Sequence, residues 1–234
     1  MILAAGLGTR FKPWTDHHPK ALAIVNGKSL LQRNIEYLQR AEIFEVVVNV
    51  HHFAEQIVET IEKNKGWGSK IFVSDETDVV LETGGGLVKA SNFLKDGAFV
   101  LMNVDILTTL DISAMIAAHR KLMPLATLAT TDRKTSRYFV FDHLDNLCGW
   151  KNVKTGEEKM MRAVSERKER AFSGIHVIDP KIFSMITREG KFSMVDVYLS
   201  LAAREIIKSF DHSDTAFIDV GKPDSVAEAE KIFY

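Results

Sequence analysis

Several things are scarce in this sequence, and each scarcity narrows what the chain can be. One cysteine, Cys148, occurs among 234 residues, so no intramolecular disulfide can form. A reducing cytoplasm is the expected setting. Cys148 lies in the polar stretch Asp145-Asn146-Leu147-Cys148-Gly149, with no base beside it to make it a nucleophile. Long apolar runs are missing: none approaches the roughly 18 residues of a membrane span. The amino terminus carries no basic segment leading into an apolar one, so no signal peptide is expected. Net charge is also small, since 30 Lys and Arg against 31 Asp and Glu leave −1. Such a balance sets up no overall field for nucleic acid or an anionic membrane, and neither is expected as a partner. An anionic ligand must then be held by a local cluster of cations and backbone amides. The histidines include two adjacent pairs, His17-His18 and His51-His52. Adjacent side chains point to different sides, and neither pair has metal-ligand spacing.

What is present is ordinary globular composition, 46% hydrophobic and 26% charged. Leu30, Leu31, Ile35 and Leu38 recur at helical spacing, and Ile57, Val58 and Ile61 do the same over residues 54–63. Between them, residues 45–50 (Glu-Val-Val-Val-Asn-Val) form a short apolar run of the buried parallel type. Residues 71–73 and 99–102 read as strands, the stretch after Gly86 and residues 112–122 as helices, and 126–130 as extended. This alternation predicts an α/β fold with a doubly wound, mostly parallel, Rossmann-like sheet. Beyond residue 131 the pattern changes. Residues 138–150 show the alternation and Asp-Asn turn of antiparallel hairpins, and 172–178 a further strand. Helices are expected around 195–208 and 224–233. No repeat, low-complexity tract or long linker interrupts the chain. One domain is expected over residues 1–234, with a mostly parallel half to about residue 130 and a smaller, antiparallel half from about residue 131.

The first strand, Met1-Ile2-Leu3, runs straight into Ala4-Ala5-Gly6-Leu7-Gly8-Thr9-Arg10. Ligands of open α/β sheets sit at the carboxyl ends of strands, which is where this loop falls. Gly6 and Gly8 permit positive φ and close approach of backbone amides to a phosphate. Arg10 offers a planar fork to phosphoryl oxygens, and Pro19-Lys20 brings a second cation. Two commoner phosphate loops do not fit. The dinucleotide fingerprint needs a third glycine where Phe11 stands, and the Walker pattern needs one where Leu22 precedes Gly27-Lys28-Ser29. On its own, Gly-x-Gly is equally a plain chain turn.

The whole string is more specific. Leu-Ala-Ala-Gly, any residue, Gly-Thr-Arg, then Pro-Lys resembles the activating loop of the sugar-1-phosphate nucleotidyltransferases, which couple a nucleoside triphosphate to a sugar 1-phosphate. By that resemblance Leu3, Ala4, Ala5, Gly6, Gly8 and Thr9 line the nucleotide, and Arg10 and Lys20 are catalytic. Leu81-Glu82-Thr83-Gly84-Gly85-Gly86 reads as a second glycine loop, or as a turn with Glu82-Thr83 in a helix cap. It looks like the base-recognising loop of N-acetylmuramate 1-phosphate uridylyltransferases, which assigns Glu82, Thr83, Gly84 and Gly85 to the nucleotide. Asp105, after a strand, and Asp219, in Phe217-Ile218-Asp219-Val220-Gly221, are each a helix or turn cap when taken singly. In the family such a pair holds Mg²⁺, a cation that prefers oxygen ligands. Val104 stands where relatives carry glycine before that Asp. Phe172-Ser173-Gly174-Ile175 resembles the strand under the acceptor sugar. The family's Glu-Lys pair finds a loose match in Glu166 with Lys168 or Arg167, a stretch that also reads as a solvated charge run. Asn103, Glu166, Lys168 and Gly174 are thereby assigned to the sugar phosphate.

The resemblance implies a stand-alone transferase taking a nucleoside triphosphate and a sugar 1-phosphate. Uridylyl transfer to N-acetylmuramate or another amino sugar leads, with guanylyl transfer to mannose or heptose as the alternative. A nucleotide-sugar sensor without turnover would be marked by loss of Arg10, Lys20, Asp105 or Asp219, and all four are present. The two carboxyl-terminal helices are available as an oligomer interface.

Overall fold

The structure is a computed structural model that describes residues 1–234. In chain order the elements are β1 (Ile2–Leu3), the hairpin β2 (Ile24–Val25) and β3 (Lys28–Ser29), α1 (Leu30–Gln39), β4 (Glu45–Val50), α2 (Ala54–Lys63), β5 (Lys70–Asp75), α3 (Glu82–Lys89), β6 (Phe99–Asn103), β7 (Ile106–Thr108), α4 (Ile112–Leu122) and β8 (Ala126–Thr131). There follow β9 (Arg137–Phe141), β10 (Leu147–Asn152), β11 (Glu158–Met160), β12 (Lys168–Ile178), α5 (Met194–Leu201), β13 (Ile207–Asp211), β14 (Phe217–Asp219) and α6 (Asp224–Ile232).

β1 is only two residues long but central. It lies parallel to β4 on one side (Ile2↔Val48) and to β6 on the other (Ile2↔Met102). With β5 beyond β4, these strands make the parallel half of the sheet. Alternation along them feeds two cores. Ile2, Val46, Val48 and Val50 join the cluster built with α1, α2 and α4, whereas Met1, Leu3 and Val47 join the one built with Leu87 of α3 and Val197 and Tyr198 of α5. Helices therefore cover both faces, as a doubly wound sheet requires. Local sequence supports this at the helix starts: Ser29 Oγ accepts from Gln32 N at 3.1 Å and Asp111 Oδ1 from Ala114 N at 3.0 Å, each satisfying an otherwise unpaired amide.

β12 joins the two halves, pairing antiparallel with β6, β8 and β9; β9, β10 and β11 continue as an antiparallel ribbon. The register on β8 shifts between Phe172 and His176, where Gly174 adopts φ 74°. β7 and β14 form a separate two-stranded antiparallel pair. No helix is long and apolar enough to cross a membrane.

Two expectations need correction. Helix was expected over residues 195–208, but α5 stops at Leu201 and residues 207–211 are β13, parallel to β8. The apolar pair Ile206-Ile207 prolongs the helical period in sequence, and only the open edge of β8 draws it into the sheet. The second correction concerns Gly84-Gly85-Gly86, which is not a loop: α3 begins at Glu82 and takes all three glycines into its buried face. A Cβ on Gly84 would lie 2.4 Å from the Phe192 ring, one on Gly85 2.1 Å from Gly190 O, and one on Gly86 2.6 Å from Glu76 Oε1. Gly84 and Gly85 let residues 190–194, which lead into α5, press onto the helix. Backbone bonds fasten it there, Gly84 N donating to Phe192 O at 2.9 Å and Phe192 N to Leu81 O at 3.2 Å.

Candidate active site

A cleft of about 500 Å³ opens over the carboxyl ends of β1, β4 and β6, the usual ligand position in an open α/β sheet. Its floor is the loop after β1. Leu3, Ala4, Ala5, Gly6, Gly8, Thr9 and Arg10 all line it. The two glycines serve different ends. Gly6 faces open space, whereas Gly8 has φ 61° and a Cβ there would sit 2.8 Å from Thr15 Cγ2 and 3.2 Å from Lys20 Cβ. Thr15 Oγ1 donates to Gly8 O at 2.9 Å, so the turn is braced from below.

Asn49 fixes the start of this loop. Its Oδ1 accepts from Ala4 N at 2.7 Å and its Nδ2 donates to Glu76 Oε1 at 2.7 Å. Glu76 is fully buried. Burial pushes its carboxyl up, with the Asn49 hydrogen bond pulling back. Neither residue was picked out by motif, although a polar Asn49 inside the run Val46-Val47-Val48-Asn49-Val50 was a usable signal: buried amides hold something.

At the reacting end, Lys20 Nζ is paired directly with Asp105 Oδ2; the lysine side chain is 10% exposed. Asp219 stands opposite. β7 and β14 align Asp219 with Ile106, and Val220 N donates to Asp105 O at 2.8 Å, which draws the two carboxylates together. A Cβ on Gly221 would meet Asp219 Oδ1 at 2.7 Å and Arg10 Nη2 at 2.9 Å, so Arg10 also converges here. Asp219 is exposed to the cleft; partial desolvation and then the charge of Asp105 push its carboxyl above the ordinary range, while Lys20, Arg10 and Arg133 pull it down. Two carboxylates with that mutual repulsion fit a divalent cation that takes oxygen ligands. Val104 does not disturb the turn. It is buried at 6% and avoids positive φ, so glycine is not demanded, and its carbonyl accepts from Asn34 Nδ2 at 2.7 Å.

On the far wall Glu82 and Thr83 line the cleft; Gly84 and Gly85 do not, being turned into the packing against residues 190–194. Asn103 lines it as well, and Gly174 lies against Asn103, a Cβ there falling 2.7 Å from Nδ2. Glu166 and Lys168 lie elsewhere. Glu166 is exposed outside the cleft, and Lys168 Nζ bonds Asp145 Oδ1 at 2.8 Å and His143 O at 3.1 Å. Lys191 and Ser193, which motif reading passed over, line the cleft from the second half of the chain. Arg133 is a further omission. Its Nη2 donates to Phe172 O at 2.7 Å and its guanidinium lies 4.8 Å from the Phe217 ring centre, on the strand that ends in Asp219.

A family model described as "Nucleotidyl transferase" matches residues 1–233. The chain belongs to the sugar-1-phosphate nucleotidyltransferases. Among members of this family, the N-acetylmuramate alpha-1-phosphate uridylyltransferase of Caulobacter vibrioides is 31% identical over 214 residues, covering 87% of this chain and 84% of that one. The D-glycero-alpha-D-manno-heptose 1-phosphate guanylyltransferase of Campylobacter jejuni is also 31% identical, over 228 residues, covering 96% and 95%. The nucleotidyltransferase fold is shared with the crystal structure of HddC from Yersinia pseudotuberculosis complexed with GMP-PN, at TM-score 0.80, 23% identity and coverage of 100% and 98%.

Proposed function

We propose that this nucleotidyltransferase carries uridylyl from UTP to N-acetylmuramate 1-phosphate or another amino-sugar 1-phosphate, releases pyrophosphate, and uses Mg²⁺. The observation that carries the chemistry is the convergence of Arg10, Lys20, Asp105 and Asp219 at one end of the cleft, around Gly221. A phosphate oxygen of the sugar 1-phosphate attacks the α-phosphorus of the triphosphate; the bond to the bridging oxygen breaks and pyrophosphate departs with the electron pair. No protein nucleophile is needed, only alignment and compensation of charge. Arg10 presents its fork to the phosphoryl oxygens. Lys20, nearly buried beside Asp105, is placed to turn from that carboxylate to the oxygens that gain charge. The glycine turn supplies backbone amides without a side chain in the way. Asp105 and Asp219 would hold Mg²⁺, which when bound offsets the negative charge shared by the two phosphates.

The choice of UTP and an amino sugar rests on Glu82-Thr83-Gly84-Gly85-Gly86 and on the Caulobacter relative. The Campylobacter relative, aligned over nearly all of both chains, favours a second reading, GTP with a heptose or mannose 1-phosphate. Pyrophosphate release from each of the four nucleoside triphosphates against a panel of sugar 1-phosphates, with Mg²⁺ and with EDTA, separates them. Release with UTP and N-acetylmuramate 1-phosphate, abolished by EDTA, is expected. Preference for GTP and a neutral sugar would replace the first reading by the second.

A further inference from the structure

The cations of the cleft differ in how far they are committed. Lys20 is paired with Asp105; Arg10 is exposed, its guanidinium beside Gly221 at the Asp219 end of the cleft. Lys168, which sequence resemblance assigned to the acceptor phosphate, is bonded to Asp145 and His143 O away from the cleft. Lys191 lines the cleft with a side chain 59% exposed, makes no hydrogen bond, and has one loose neighbour, Glu82 Oε1 at 3.7 Å. That separation, at such exposure, is worth little.

Its backbone is by contrast held firmly. Residues 191–194 alternate outward and inward: Lys191 is exposed, Phe192 buried, Ser193 half-buried and Met194 buried. Phe192 exchanges backbone bonds with Leu81 and Gly84, and Met194 N donates to Thr83 Oγ1 at 2.9 Å. Gly85 gives the room for this approach. Ser193 is spent on capping α5, its Oγ accepting from Asp196 N at 3.2 Å. Lys191 is thus an ammonium with free donors, on a fixed strap, in a cleft whose other walls carry Glu76, Glu82 and Asp105.

We propose that Lys191 is the cation that receives an anionic group of the acceptor sugar, either its 1-phosphate or a carboxylate on the ring. This rests on the transferase reading above and names a specificity residue for it. The strap comes from the half of the chain that the resemblance gives to the acceptor, and an acceptor anion entering beside the exposed Glu82 carboxylate needs such a counter-charge.

The test is Lys191→Met, with Lys191→Arg and Lys168→Met beside it. Lys191→Met should raise KM for the sugar 1-phosphate about tenfold or more, the loss of one charge-assisted contact, and leave KM for the nucleoside triphosphate within twofold. Lys191→Arg should restore most of it, and Lys168→Met should change neither. An equal effect on neutral and acidic sugar 1-phosphates identifies the phosphate as the anion; an effect confined to acidic sugars identifies the carboxylate. Unchanged acceptor KM, or a rise for the nucleotide instead, overturns the proposal. Calorimetric titration of the sugar 1-phosphate into the protein decides it independently of turnover: weaker binding in Lys191→Met supports it and equal binding overturns it. If the unmodified enzyme released no pyrophosphate from any pair, the transferase substrates would be wrong, while the titration would still decide on Lys191.

Discussion

Lys20 and Asp105 set the charge state of the reacting end between them. Lys20→Ala removes a cation from where negative charge accumulates and leaves Asp105 without its partner. Its kcat should fall by about 10²–10³, as for loss of a preorganised donor, with a smaller change in nucleotide KM; near-normal turnover in a pyrophosphate assay would remove Lys20 from the chemistry. Asp219 shows the opposite bargain. Its carboxyl, exposed to the cleft, is raised by partial desolvation and by Asp105, so in metal-free protein the ionised form weakly opposes folding. The raised group favours the fold at low pH and loses that contribution as pH rises through its folded pKa. Asp219→Asn should therefore melt slightly higher than the unmodified protein in EDTA at neutral pH, while losing turnover. A lower melting temperature in differential scanning calorimetry would contradict that account. Arg10, Lys20, Asp105 and Asp219 were readable as motif residues. By the family resemblance they belong to one site, and in the fold it is the pairing of β7 with β14 that carries Asp219 to Asp105. Lys191 had no motif signal at all.

Among elements, α3 is the case where intrinsic preference and tertiary contact oppose each other. Alanine favours a helix interior over glycine by about 1 kcal/mol, so Gly85→Ala would stabilise α3 if it stood alone. The added Cβ meets Gly190 O at 2.1 Å, and backbone cannot rotate away. Overpacking should win, with a net loss of about 1–3 kcal/mol in urea denaturation. Lys191 should be displaced with its strap, raising acceptor KM; a more stable Gly85→Ala variant would mean that the strap yields freely. Three glycines in a row read as a loop because such a run is normally a breaker, and tertiary contacts explain a helix made of them: residues 190–194 cross at Gly84 and Gly85, and the Glu76–Asn49 pair fills the space beside Gly86. At Gly174 in β12, local and tertiary demands agree: φ is 74° and Asn103 occupies the side-chain space. The helix expected over 195–208 overruns into Ile207 and Lys208 of β13 because their period continues that of the apolar residues of α5.

At the scale of the molecule, the two cores meet acid differently from the surface. His176 of β12 is buried, its Nδ1 lies 2.6 Å from Tyr198 OH of α5, and burial pushes its pKa down to about 3. Unfolding frees it to titrate near its ordinary value of 6.5. The unfolded chain then takes up a proton that the folded one refuses, and stability falls as pH drops from about 6.5 towards 3. Denaturation midpoints measured over that range should decline steadily, and His176→Leu should flatten the decline at some cost in stability at pH 7, since Tyr198 loses its partner. An unchanged slope in that variant would place the acid sensitivity elsewhere. The α/β class, a mostly parallel first half, most helices and the loop after β1 were determined by sequence alone, because periodicity, caps and glycine turns act over a few residues; that β1 lies between β4 and β6 came from the fold. Which residues of the two halves face one another was decided only by the folded sheet: Asp219 against Asp105, Lys168 drawn off to Asp145, Lys191 brought to the cleft on a strap over α3. Those contacts join segments distant in sequence, and strand register, to which no short stretch of sequence bears witness, sets them.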